Sequence, residues 1–99
     1  MSTQLLLTDA PAVDPLADER ARIEAVIRET ARACNGTVSS NDVREHLAGI
    51  VHHPRLVGQV YSALRRSGAL VETGAERSTD TAGGNAGRWV PTYEWRGAL

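Results

Sequence analysis

The sequence predicts an α+β fold: three helices followed by a two-stranded antiparallel hairpin, with a minimal strand between the first and second helices. Three observations carry this. Between Pro54 and Gly68, Leu56, Val57, Val60 and Leu64 recur at three- and four-residue spacing, which makes one apolar stripe on a helix. Just upstream, Ser39-Ser40-Asn41-Asp42 is a dense cluster of N-cap residues, and Ser39 with Asp42 has the S-x-x-D spacing of a capping box. Further on, two extended runs starting at Leu70 and Arg88 flank a stretch rich in Gly, Ser, Thr, Asp and Ala.

In chain order, residues 1–13 show neither helical nor strand periodicity and read as an N-terminal arm, in which Leu5-Leu6-Leu7 stands out. Asp14-Pro15 opens the first helix as an N-cap with Pro at the first position, and Asp18 and Glu19 follow near its positive end. Ile23, Val26, Ile27, Thr30 and Cys34 share its inner face, with Cys34 as a small core residue closing the stripe, and Asn35-Gly36 ends it. Thr37-Val38 forms a minimal extended link. The short second helix points Val43, Leu47 and Ile50 inward and stops at Gly49. A turn through Ile50-Val51-His52-His53 leads to the third helix, which begins at Pro54 and stops at Gly68. Leu70 to Thr73 is a strand that Gly74 should stop. Residues 74–87 read as loop, and Arg88-Trp89-Val90 resumes the extended pattern. Pro91 cannot donate to a ladder, so the last strand either ends there or lies at an edge. Trp89 and Tyr93 fit strand packing better than an exposed stacking platform. The expected organisation is thus an arm at 1–13, a domain at 14–95 and a tail at 96–99.

With 99 residues, 41% apolar and 23% charged, the composition suits one small ordered domain rather than a disordered chain. The single Cys34 excludes an intramolecular disulfide and fits a reducing compartment. No apolar run approaches the ~20 residues of a membrane span. A cytoplasmic location is the expectation, with no membrane partner. Net charge is only −1, but its distribution is uneven. Residues 1–35 sum to −2 and residues 52–96 to +2, and all eleven basic residues are Arg. Arg is the better fork for phosphate and guanine.

The outer face of the third helix collects Arg55, Gly58, Gln59, Ser62, Arg65 and Arg66 and carries no carboxylate. On a helix laid in a major groove, Arg pairs bidentately with guanine and Gln with adenine, so Arg55, Gln59 and Ser62 are the leading candidates for base and phosphate contact. Arg65 and Arg66 serve either phosphate or the helix macrodipole. Ser40 and Asn41, at a helix N-terminus, suit either phosphate donation or plain capping. His53, beside His52, suits capping of the third helix close to phosphate, where protonation would strengthen binding at low pH. Arg77, Ser78 and Arg88 suit a phosphate clamp in the hairpin loop, against the partial cancellation by Glu76 and Asp80. His46, His52, His53 and Cys34 match no recognised zinc spacing, so neither a metal nor another cofactor is expected. No nucleophile elbow, phosphate-binding loop or carboxylate pair supports an enzyme or a small-molecule substrate.

A short helix, a turn and a longer helix with a basic outer face make a helix-turn-helix, and the trailing hairpin is a wing. The chain resembles the winged helix-turn-helix superfamily, and more narrowly the small winged-helix proteins of actinobacterial bacteriophages. The likeness rests on the run from Gly36 to Arg44, on Pro54-Arg55-Leu56-Val57-Gly58, on Leu64 to Leu70, and on Arg77-Ser78-Thr79 with Arg88-Trp89. It covers about residues 18 to 93. The resemblance implies a double-stranded DNA-binding regulator or recombination accessory, with the third helix in the major groove and the wing on the backbone or minor groove. One module reads few base pairs, so a dimer or side-by-side copies would be needed. The alternative is a protein-interaction module that binds a host or phage protein through the first helix or the arm. Near-neutral net charge favours it.

Overall fold

The computed structural model describes residues 15–80 and 86–97. The arm, with Leu5 to Leu7, and the expected Asp14 cap lie outside the described residues. The elements run α1 (Ala17–Ala33), β1 (Thr37–Ser39), α2 (Ser40–Leu47), α3 (Arg55–Arg66), β2 (Leu70–Arg77) and β3 (Trp89–Trp95). The domain is α+β, with three helices and one three-stranded antiparallel sheet. No described helix is long and apolar enough to cross a membrane.

The core forms where the helical stripes meet one face of the sheet. Ile23, Ile27 and Ala31 of α1, Val43 and Leu47 of α2, and Leu56, Val60 and Leu64 of α3 are buried against Val38, Leu70, Tyr93 and Trp95. Each fully buried aliphatic side chain contributes roughly 1.5–3 kcal/mol. Two residues at the ends of stripes depart from expectation. Cys34 is exposed at the C-cap of α1, because the helix closes at Ala33 and the inner position falls to Ala31. Ile50 is only half-buried, and Val51 packs on the core in its place.

Helix ends follow the expected chemistry with small shifts. Asn35 (φ 56°) and Gly36 (φ 93°) turn the chain after α1 in the left-handed region, and Gly68 (φ 84°) does the same after α3. Ser39 caps α2, its Oγ accepting from the Asp42 backbone N–H at 3.3 Å. Pro54 occupies the N-cap of α3 rather than its first turn, and Leu16 occupies the N-cap of α1 without a side-chain cap.

The sheet departs most from the sequence expectation. β2 does not stop at Gly74 but continues to Arg77, with a bulge between Glu72 and Gly74. A Cβ at Gly74 would come within 3.2 Å of Thr92 Oγ1, so Gly here permits close strand approach. β3 runs through Pro91 and is the central strand, in the order β1-β3-β2. Pro91 is tolerated because its missing N–H falls beside the end of β1. Trp95, four residues on, points its N–H to that side and donates to Gly36 O at 2.7 Å. Ladder pairing there ends at Ser39↔Thr92, and the Ser40 hydroxyl donates to the Pro91 carbonyl.

Candidate nucleic-acid interface

The outer face of α3 is built as the stripe dictates. With Leu56, Val60 and Leu64 buried, Arg55, Gly58, Gln59, Ser62, Arg65 and Arg66 are all exposed. The side chains of Arg55, Ser62 and Arg66 make no hydrogen bond or ion pair with any described residue. Gln59 leans toward α1, where its Oε1 accepts from Arg20 Nη2 at 3.3 Å. Arg65 leans the other way. It lies 3.6 Å from a Glu72 carboxylate oxygen and 5.9 Å from the centroid of the Tyr93 ring. Both members of the Arg65–Glu72 pair are half exposed, so the contact is worth about 0–1 kcal/mol and leaves Arg65 able to exchange partners.

Both N-termini beside this face are already occupied by carboxylates from other elements. At α3, Glu19 of α1 accepts from the His52 and His53 backbone N–H groups, each 2.8 Å from Oε2, while Oε1 lies 2.8 Å from His53 Nδ1. The Glu19 side chain is only 7% exposed, and the His53 contact, together with the two backbone donors, lowers its pKa to about 2 despite the opposing cost of burial. At α2, Glu76 of β2 accepts from Ser39 Oγ at 2.5 Å and from the Asn41 backbone N–H at 3.2 Å.

Four of the candidates are engaged within the domain. His53 Nδ1 and its backbone N–H are held by Glu19, while the side chain stays 45% exposed. The Ser40 hydroxyl is committed to Pro91 O, and the Tyr61 ring beside it is stacked on Tyr93 at 5.3 Å. Asn41 ties α2 to the hairpin: Nδ2 donates to Arg77 O at 2.8 Å, and Oδ1 accepts from Thr79 N and Arg44 Nη1, each at 3.0 Å. Ser78 is 4% exposed. Its Oγ accepts from Asp80 N at 3.1 Å, and its backbone bonds Arg88 O and Gly87 N across the hairpin. An anion at either helix end would meet a carboxylate before it met a donor.

The hairpin end instead presents cations and one aromatic. Arg77 and Arg88 are exposed, and Arg77 Nη1 donates to Gly87 O at 2.6 Å. The Arg77 guanidinium sits 4.3 Å from the centroid of Trp89, which is 64% exposed. Packing was the expectation for Trp89. The register places its side chain beyond the last core contact, and Trp95 and Tyr93 fill the core.

Sequence reasoning missed Glu19, Arg20, Glu76 and the exposure of Trp89. Glu19 had a legible signal, since it stands four residues before Ile23 and eight before Ile27, inside the apolar stripe. Among the described residues no group of three or more His, Cys, Asp or Glu could hold a metal ion. No protein family, no curated protein and no solved structure matches the chain.

Proposed function

We propose that the domain is a winged helix-turn-helix that binds double-stranded DNA, with α3 in the major groove and the β2–β3 hairpin as the wing against the backbone. The role is that of a small transcriptional regulator or recombination accessory, acting as two or more copies on adjacent half-sites. The observation that carries this reading is the outer face of α3. Arg55, Ser62 and Arg66 stand there exposed, their side chains without partners among the described residues and with no carboxylate on the helix. Because Glu19 and Glu76 fill the helix ends, phosphate contacts fall to Arg65, Arg66, Arg77 and Arg88, and Arg55 is the base reader.

Arg55→Ala is expected to cost about 1–3 kcal/mol at one base pair and to relax specificity there, while Arg77→Ala weakens all sequences alike and reduces the salt slope by about 1. Fluorescence anisotropy against genomic fragments over a salt gradient measures both. Affinity that ignores salt would overturn the reading. The two tryptophans supply a second readout. In a Trp95→Phe variant, emission from the exposed Trp89 should be quenched readily by acrylamide, and DNA should protect it if the hairpin is the wing. Unchanged quenching in saturating DNA would remove the hairpin from the interface.

A further inference from the structure

We infer that the groove between α1 and α3 seats one sugar–phosphate strand of the bound DNA, so that α1 joins α3 and the hairpin in the contact surface. The inference rests on the DNA reading above and extends it to an element outside the helix-turn-helix and the hairpin. The groove is open and has a volume of about 1040 Å³. Arg20 of α1 stands on one side and Arg66 of α3 on the other, with Arg55, the base reader, also in the lining. Among the described residues Glu24 is the one carboxylate that lines it, and Arg28 Nη2 pairs with it at 2.8 Å. Arg55 and Arg66, whose side chains have no partner among the described residues, make this surface cationic, although the chain as a whole is not.

Gly58 supplies the second argument. It lies in the middle of α3, exposed and without a positive φ, and a Cβ built on it would meet nothing within 4 Å. Neither backbone conformation nor packing inside the domain requires glycine here, and glycine is a poor helix former. What it provides is access, since beside Ala21 it lets a bulky backbone approach the guanidinium groups closely. A second copy of the chain fits this groove less well. A two-fold contact would set this arginine-bearing lining against its own copy.

The test uses the full chain and a fluorescein-labelled duplex of mixed sequence, with anisotropy read over a salt gradient. Gly58→Ala should raise the melting temperature. Gly58→Met should melt no lower than wild type yet bind about tenfold more weakly, the size of one lost contact. Arg20→Ala should reduce the log–log salt slope by about 1, and Arg20→Lys should restore it. Suppose the wild type binds with a salt slope and Arg55→Ala weakens it, but Gly58→Met and Arg20→Ala bind normally. The groove assignment is then wrong and the DNA reading stands. No binding by the wild type overturns both. A wild type that is dimeric by light scattering, and that Gly58→Met converts to monomer without DNA, would make the groove a subunit seam and overturn the inference.

Discussion

Leu56→Ala is expected to lower the unfolding free energy by about 2–5 kcal/mol, read as a shift of the urea midpoint with the slope unchanged. Leu56 is fully buried in the first turn of α3 and is among the largest enclosed side chains of the core. Truncating it removes apolar transfer energy and leaves a cavity in the buried core, whose other side chains cannot collapse into it without losing contacts of their own. A domain of this size has about 5–15 kcal/mol in total, so the loss is a large share of its stability. Leu56→Met conserves volume and should cost less than about 1.5 kcal/mol. Next to it, Arg55→Ala removes an exposed side chain and should leave the midpoint within about 0.5 kcal/mol of wild type. Adjacent residues would thus fail differently, one in folding and one in the proposed DNA binding. Equal midpoint shifts at the two positions would mean that the helix presents another face to the core.

Glu19→Gln is expected to flatten the acid limb of the stability profile. The carboxyl titrates near 2 in the folded protein against an ordinary 4.5, so on acidification the unfolded chain takes up the proton first. The stabilisation from Glu19 is therefore complete above pH 4.5 and disappears as the pH falls through 2. Other carboxylates titrate in the same window, and the difference between wild type and variant isolates this one. At neutral pH the variant should also be less stable. A glutamine has one acceptor oxygen, whereas two backbone N–H groups and the His53 ring converge on the two oxygens of the carboxylate. Urea midpoints measured across the acid range would decide. Wild-type and Glu19→Gln profiles that run parallel would show that the clasp contributes nothing pH-dependent.

The three helices were legible because periodicity and end signals agree within each of them. Leu56, Val60 and Leu64 mark the buried side of α3 by their spacing alone, and the exposed side follows by subtraction. Ser39 and Asp42 announce α2 by a local hydrogen bond that the structure contains. The sheet was less legible, because strand pairing depends on partners far along the chain. Gly74 looks like a stop when read locally but is a bulge once Thr92 lies across from it. Pro91 looks like an edge residue, yet it sits in the central strand, because β1 ends just before it needs a donor. The same limit applied to the site. Arg55, Ser62 and Arg66 are surface residues that their own helix defines. Ser40, Asn41, His53 and Ser78 are fixed by Glu19, Pro91, Thr79 and Arg88, and none of those pairings has a local sequence signature.

The central position of β3 also bears on how the protein comes into being on the ribosome. Thr37 waits for Glu94 and Val38 for Tyr93, while Leu70 waits for Trp95, so both outer strands are made before the strand that joins them. The three helices can form in turn as they emerge, but Tyr93 and Trp95, which close the core, arrive last. Contacts this distant in sequence carry the loop-closure cost that slows folding. Until synthesis reaches them, the nascent chain exposes the inner faces of its helices and two unpaired strand edges, and a ribosome that stalls between β2 and Trp89 presents a polypeptide with helical content but no partner for either outer strand.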